Sequence, residues 1–247
     1  MPILSLFGDI ITNYPDGMHI CHSGSIWHMT MHYQPPPDNG LEICYLDDEL
    51  IVLNKPSGLL SVPGRGEDKQ DCLVSRVQRE FPEALTVHRL DMGTSGLVLM
   101  ALGKQMQGRM GYLFQQRRVG KRYVAVVAGL PAPEQGEIDL PLITDWPDRP
   151  RQRVDHEIGK RAITRYQVLG YDADAGTSRM RLLPQTGRTH QLRVHMMSIG
   201  HPIVGDELYA DDKWRRAAQR LLLHAEQLRF VHPRTGRQML IEREAAF

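Results

Sequence analysis

The sequence predicts an α+β protein whose β-sheet is largely antiparallel. Most segments with strand character follow one another through short turns, which is typical of antiparallel hairpins and not of alternating strand–helix units. Only three segments have the apolar spacing of a helix. The chain of 247 residues, 41% of them hydrophobic, is long enough to bury a sizeable core.

Strands are predicted where β-branched and apolar residues cluster between turn residues. The first two, over 41–46 and 50–53, flank an acidic turn at Asp47 and Asp48. A strongly apolar strand over 97–102 is expected to be buried. The remaining strands are expected at 122–127, 138–143, 162–171, 178–183, 220–230 and 238–242.

The three predicted helices each have an apolar face. The helix over 72–81 repeats an apolar residue every four positions and ends before Pro82. The helix over 104–118 has a methionine-rich face that is expected to join the core. The helix over 190–199 ends at Gly200.

Residues 1–34 are expected to form an irregular extension. They contain four histidines and show no apolar period, and the histidine spacings match no compact zinc site, so no metal is expected there. Residues 35–40 are predicted to be a proline-rich linker, and the folded domain is expected to span 41–247. Our hypothesis is that Met29 or Met31 is the natural start and that the residues before it come from translated upstream sequence.

Composition and charge narrow the class of protein. The three cysteines are far apart and form no Cys-x-x-Cys pair, so reduced thiols and a cytoplasmic location are expected. No apolar run approaches the roughly 20 residues of a transmembrane helix. The net charge is only +1, but residues 92–133 hold six basic residues and 175–205 hold four, with no acidic residue in either stretch. A basic face of this kind can bind a polyanion.

The candidate active site lies in residues 87–101. Asp91 stands between an apolar entry and a long apolar strand, on a Met-Gly-Thr-Ser-Gly turn whose glycines tolerate unusual backbone angles. A carboxylate on such a loop can act as nucleophile or base, or can simply hydrogen-bond the loop. The residues of this stretch alone leave both alternatives open.

Four segments together resemble the RluA-type pseudouridine synthase family. His88-Arg89-Leu90-Asp91, followed by Gly-Thr-Ser-Gly, resembles the active-site motif of that family. The other three segments, in the family's order, resemble its Asn-Lys-Pro motif (53–60), its tyrosine motif (121–123) and its arginine motif (187–195). The resemblance runs from about residue 41 to the C-terminus. It implies the pseudouridine synthase fold, a bent, mixed, mostly antiparallel sheet with flanking helices and a central RNA-binding cleft, with no S4 domain.

The resemblance also implies an activity, the isomerisation of specific uridines in structured RNA to pseudouridine. Residues 139–147 are similar to a branch that acts on both ribosomal and transfer RNA, which implies the tRNA anticodon loop, a 23S rRNA hairpin loop, or both as substrates. The target base must be flipped out of the folded RNA. The chemistry requires no cofactor and no metal.

Three residues are assigned catalytic roles by this resemblance. Asp91 is the catalytic carboxylate, Arg193 is its cationic partner, and Tyr123 stacks on the uracil and accepts the proton of the ring carbon. His88 and His190 are expected to act as hydrogen-bonding scaffold. RNA contacts are expected from a set of basic residues: Lys55, Arg89, Lys121, Arg122, Arg149, Arg151 and Arg188. For Lys55 an electrostatic or structural role near the site is also expected. Arg149 and Arg151 lie in a proline-rich loop with one aromatic residue, Trp146, a mixture that suits RNA but fits a plain exposed loop equally well.

Other functions fit the sequence less well. A non-catalytic RNA-binding or chaperone module with the same fold would not need the complete set of Asp91, Tyr123 and Arg193. A kinase-like loop would need an asparagine after its aspartate and a separate Asp-Phe-Gly motif. A metal-dependent hydrolase built on the eleven histidines would show stoichiometric metal in the purified protein. A monomer that binds RNA and no membrane is therefore expected.

Overall fold

The computed structural model describes residues 33–247, which form twelve strands and four α-helices. The strands are β1 (Ile43–Leu46), β2 (Leu50–Lys55), β3 (Ala84–Thr86), β4 (Ser95–Leu102), β5 (Gly120–Ala128), β6 (Gln135–Asp139), β7 (Leu142–Thr144), β8 (Gln152–Val154), β9 (Ile163–Asp172), β10 (Thr177–Pro184), β11 (Leu223–Val231) and β12 (Gln238–Glu242). The helices are α1 (Leu73–Gln78), α2 (Lys104–Gln115), α3 (Gln191–Ser198) and α4 (Asp212–Arg216).

Ten of these strands form one mixed sheet. Their order is β1-β2-β4-β11-β5-β10-β9-β6, with β3 beside β4 and β12 beside β11. Among the described pairings only β4 with β11 is parallel, and the others are antiparallel. Strands β7 and β8 form a separate two-stranded hairpin. The α+β class with a largely antiparallel sheet is thereby confirmed.

Helices cover both faces of this sheet. Met106 and Met110 of α2 pack against one face of β4, and Val77 of α1 packs against the other. Leu192 and Met196 of α3 pack on β5 and β10. Only β11 separates β4 from β5, so the loop that leads into β4 and the side chains at the start of β5 are held close together.

One predicted strand, over 138–143, is wrong. The segment forms the end of β6 and the start of β7, which belong to different sheets, with Leu140 and Pro141 between them. Pro141 has no N–H to donate to a ladder, so the chain leaves the main sheet at this point. The short elements β3, β8 and α4 were not predicted, because three to five residues carry too little periodicity.

Residues 35–40, predicted to be a proline-rich linker, contact α1. Tyr33 is buried, and its hydroxyl donates to the carbonyl of Asp71 at 2.9 Å and accepts from the N–H of Leu60 at 3.0 Å. Arg76 donates to the carbonyl of Pro36 at 2.7 Å. These residues are part of the compact unit that begins at Tyr33. The predictions for 1–32 lie outside the described residues.

Two further expectations can be compared with the described part of the chain. Cys44 and Cys72 carry free thiols, while Cys21 lies outside the described residues. None of the helices formed by residues 33–247 combines the length and the apolar character needed to cross a membrane.

Candidate active site

Asp91 lies on the loop between β3 and β4, at the edge where β4 enters the sheet. Its backbone carbonyl accepts the N–H of Thr94 at 3.1 Å, and its side chain keeps 28% of its surface exposed. Gly96, with φ of +110°, lets β4 approach β11 closely, since a Cβ there would lie 2.3 Å from the carbonyl oxygen of Ala225. Any larger residue at Gly96 would displace the strand that fixes the Asp91 loop.

Lys55 holds the Asp91 loop in place through hydrogen bonds to backbone carbonyls. It is fully buried at the end of β2, and its ammonium group donates to the carbonyls of Pro56 at 2.9 Å, Leu59 at 2.7 Å and Met92 at 3.1 Å. Burial lowers its pKa to about 7, although the charge of Asp91 opposes this shift. Lys55 therefore ties the Asn-Lys-Pro segment to the residue after Asp91.

This burial corrects the expectation that Lys55 contacts RNA. A side chain with no exposed surface, whose three donors are used by three carbonyls, has nothing to offer a phosphate. Its contacts fit the structural role near the site that was also expected for Lys55.

Arg193, in α3, faces two carboxylates. Its Nε and Nη2 atoms donate to the two oxygens of Asp206 at 2.8 and 2.7 Å, and its Nη1 atom lies 3.7 Å from Oδ2 of Asp91. Burial disfavours the charged form of Arg193, but the hydrogen bonds to Asp206 and the charges of both carboxylates outweigh it and raise its pKa. The expected pairing of Arg193 with Asp91 is therefore present as a charge contact.

Asp206 was not predicted from the sequence. It is fully buried, and its Oδ1 also accepts the N–H groups of Leu208 at 2.9 Å and Tyr209 at 3.1 Å. Gly205 before it has φ of +76°, and a Cβ there would lie 1.9 Å from the carbonyl oxygen of Arg220. The only sequence signal for Asp206 was the Gly-Asp pair that follows the predicted helix. This pair indicates a site residue only when the position of α3 in the fold is known.

Tyr123 lies near the start of β5, close enough to Asp91 to be affected by its charge. Its half-buried ring packs between two apolar clusters, one around α1 and the other around α3. Burial, with a further contribution from the charge of Asp91, raises the pKa of Tyr123 well above its usual range. The hydroxyl therefore keeps its proton at neutral pH.

Tyr209 is a second site residue that the sequence did not indicate. It is 6% exposed, with the guanidinium of Arg193 5.1 Å from its ring centroid. Its oxygen accepts the N–H of Gln152 at 2.8 Å and lies 2.7 Å from Nδ1 of His190. Burial raises the pKa of Tyr209 to about 12, and burial lowers the pKa of His190, so both groups are neutral at pH 7.

His88 and His190, two of the three histidines in the motif segments, hold backbone or side-chain groups. Nε2 of His88 accepts the N–H of Leu99 at 2.9 Å, and its ring stacks on Phe114 with centroids 4.7 Å apart. Burial lowers the pKa of His88 to about 3, which keeps Nε2 free to accept. The hydrogen bond that His88 accepts and the hydrogen bond between His190 and Tyr209 agree with the scaffold role expected for both histidines.

The basic residues expected to contact RNA differ in how free their charges are. Arg89 and Arg188 are exposed, and Arg149 stacks over Trp146 at 4.2 Å from the ring centroid.

The other basic residues of the set have partners within the protein. Arg122 pairs with two carboxylates, and Lys121 is half-buried with a contact of 3.4 Å to a carbonyl. Arg151 pairs with Asp148 at 3.2 Å and stays partly exposed on the β7–β8 hairpin.

The structure places the carboxylate of Asp91 beside the fixed cation of Arg193, and Tyr123 is close enough for the charge of Asp91 to affect its hydroxyl. Within residues 33–247 there is no group of three His, Cys, Asp or Glu side chains that could hold a metal ion. A carboxylate that is partly exposed and paired on one side can attack an electrophilic carbon or stabilise a developing positive charge.

Comparison with known proteins identifies the family. The profile of the family described as RNA pseudouridylate synthase matches residues 49–198. The protein named dual-specificity RNA pseudouridine synthase RluA from Escherichia coli (strain K12) is 51% identical over 216 residues, which are 87% of this chain and 98% of the relative. The protein of the same name from Yersinia pestis is 50% identical over 205 residues, covering 83% of this chain and 99% of the relative.

Solved structures agree with the sequence relatives. The structure of human RNA pseudouridylate synthase domain containing 1 matches with a TM-score of 0.72 and 30% identity, over 87% of both chains. Human RNA pseudouridylate synthase domain containing 4 matches with a TM-score of 0.66 and 26% identity, over 82% of this chain and 88% of that one. The predicted fold and enzyme class are thus confirmed: the chain belongs to the RluA-type family of RNA pseudouridine synthases and is an isomerase.

Proposed function

We propose that Asp91, Arg193 and Tyr123 carry out the isomerisation, and that the substrates are a uridine in the anticodon loop of tRNA, a uridine in a hairpin loop of 23S rRNA, or both. The name of the RluA relatives, dual-specificity, supports two RNA substrates. The observation that carries the catalytic assignment is the contact of 3.7 Å between Nη1 of Arg193 and Oδ2 of Asp91.

The reaction rearranges one nucleotide without an external reactant. The bond between uracil N1 and the ribose C1′ breaks, and a bond between uracil C5 and C1′ forms. The proton on C5 is lost, and N1 gains a proton, so atoms and charge balance. Asp91 attacks the nucleotide or assists the departure of uracil, and Arg193 stabilises its ionised form.

Tyr123 is proposed to stack on the detached uracil through its ring. Because its phenol keeps its proton, its oxygen can accept the C5 proton only while the phenol proton moves to another base, such as the regenerated Asp91 carboxylate. Tyr123 is thus a proton relay and not a phenolate base.

RNA contacts are proposed for the exposed cations around this site, Arg89, Arg149, Arg151 and Arg188, with weaker contributions from Lys121 and Arg122. Trp146, 66% exposed on the same hairpin as Arg149, provides a surface on which a base can stack. We further propose that the protein acts as a monomer in the cytoplasm and that residues 41–247 hold the whole catalytic domain.

The test is tritium release from RNA labelled at uracil C5, with unmodified tRNA and a 23S rRNA fragment in parallel. Asp91→Asn should abolish release while RNA binding stays within about twofold, because the side chains have the same shape. Asp174→Asn, at an exposed turn between β9 and β10, is the matched control and should retain full activity. Release by Asp91→Asn would refute the catalytic assignment, and release from one RNA only would exclude the other as substrate.

A further inference from the structure

The β7–β8 hairpin projects a polar and aromatic tip away from the main sheet. It is a separate two-stranded sheet, and its tip carries Trp146 and Arg149, stacked on each other and exposed. The hairpin is joined to the rest of the domain by two backbone hydrogen bonds between Leu142 and Lys160 and by the bond from Gln152 to Tyr209. Its tip, with Trp146 and Arg149, is an exposed part of the proposed RNA surface.

Tyr209 joins this hairpin to the catalytic arginine. The hydroxyl accepts the N–H of Gln152, the first residue of β8, and this bond spans 57 positions of sequence. The ring has the guanidinium of Arg151 at 5.5 Å from its centroid and that of Arg193 at 5.1 Å. One buried ring is therefore in contact with a cation of the hairpin and with the cation that faces Asp91.

His190 completes the arrangement at the start of α3. Since Gln152 already donates to the Tyr209 oxygen, the phenol proton is directed to Nδ1 of neutral His190 at 2.7 Å. His190 has φ of +52°, so the backbone at the start of the helix that carries Arg193 is held in the left-handed region. Tyr209 thus links the first residue of β8 to the residue at the start of α3.

We propose that Tyr209 is a positioning residue that couples RNA binding at the hairpin tip to the orientation of Arg193 against Asp91. A purely apolar role would require only the ring, which packs with Leu142 and Val194. The hydroxyl, buried and bonded to two separate segments, is what the coupling requires. This inference rests on the proposed catalytic roles of Asp91 and Arg193.

The test is a double-mutant cycle between Tyr209→Phe and Trp146→Ala, measured as single-turnover rate and as RNA affinity. Enzyme is kept in excess over the labelled RNA, at concentrations where the rate no longer rises with enzyme, so an unfolded fraction of the preparation changes neither the rate constant nor the amplitude. In the wild-type background, Trp146→Ala should weaken binding and also slow the rate about fivefold at saturation. In the Tyr209→Phe background, it should weaken binding equally and leave the rate unchanged.

Tyr33→Phe is the matched control, because Tyr33 is also buried and its hydroxyl also makes two hydrogen bonds. It should lower the melting temperature as Tyr209→Phe does, and Trp146→Ala should still slow the rate in its background. An equal rate effect of Trp146→Ala in the wild-type and Tyr209→Phe backgrounds would overturn the proposal. A wild-type enzyme that modifies neither tRNA nor the 23S rRNA fragment would overturn the proposed function itself, so the two failures are distinct.

Discussion

The buried pair of Arg193 and Asp206 gives a stability prediction that follows from contacts alone. The carboxylate of Asp206 has no exposed surface and accepts two N–H groups from Arg193 and two from the backbone of Leu208 and Tyr209. Asp206→Asn preserves the volume but replaces one acceptor oxygen with an NH₂ group. At least one donor then faces another donor, and Arg193 loses its buried counter-ion.

The size of the effect can be worked out from this burial. Removing one partner of a buried ion pair costs about 3–5 kcal/mol. A domain of this size loses roughly 2–4 °C of melting temperature per kcal/mol, so Asp206→Asn should melt about 6–20 °C lower. The matched control is Asp212→Asn, whose carboxylate binds Arg215 at the same 2.7 Å but is 73% exposed. Its melting temperature should not change measurably, because solvent screens that pair.

Thermal unfolding followed by circular dichroism, repeated with urea, measures both variants. A drop of less than about 2 °C for Asp206→Asn would show that the buried carboxylate does not hold Arg193. Equal drops for Asp206→Asn and Asp212→Asn would show that the distance between the charged groups, and not their burial, determines the energy.

Three other predictions concern single residues of the site. Tyr123→Phe should reduce the single-turnover rate at least 100-fold with RNA affinity unchanged, since the ring stays and the proton relay is lost; a full-rate variant would exclude the relay. Wild-type protein should gain stability relative to Lys55→Met as pH rises from about 7 to 10, by up to about 1.4 kcal/mol per pH unit. The reason is that the folded-state pKa of Lys55, about 7, lies below its unfolded value, so the unfolded chain binds more protons in this range. Urea unfolding at several pH values measures the difference, and a constant difference would contradict a lowered pKa. Arg149→Ala should weaken RNA binding and reduce its salt slope by about one, whereas Arg122→Ala should change the slope little, because Glu226 and Glu242 already neutralise Arg122. Equal slopes for the two variants would show that this ion-pair difference does not matter.

The elements that the sequence predicted well are long or strongly periodic. β4, α2 and the β9–β10 pair lie where the apolar pattern placed them, within a few residues at each end. The strand over 138–143 failed because the pattern of side chains does not reveal that the backbone changes sheets at Pro141. Burial of Lys55 was not predicted either, since a lysine next to a proline is usually exposed.

The residues of the site also divide into those that the sequence predicted and those that it did not. Asp91, Tyr123 and Arg193 were chosen by motif resemblance, and the contact between Asp91 and Arg193 agrees with that choice. Asp206 and Tyr209 lie 13 and 16 residues after Arg193 on an irregular segment, where no periodicity marks them. Their contacts with Arg193 depend on the sharp turn at Gly205, which only a folded backbone displays.

By itself the sequence determined the fold class and the family and predicted the reactive carboxylate, because these depend on residue type and order along the chain. Only the tertiary structure decided which charges are buried, which are paired and which are free for RNA. Lys55 supports the catalytic loop, Arg122 is neutralised, and Arg193 is shared between Asp91 and Asp206. The physical reason is that the strength of a charge depends on its solvent exposure and on partners distant in sequence, and both are properties of the packed chain.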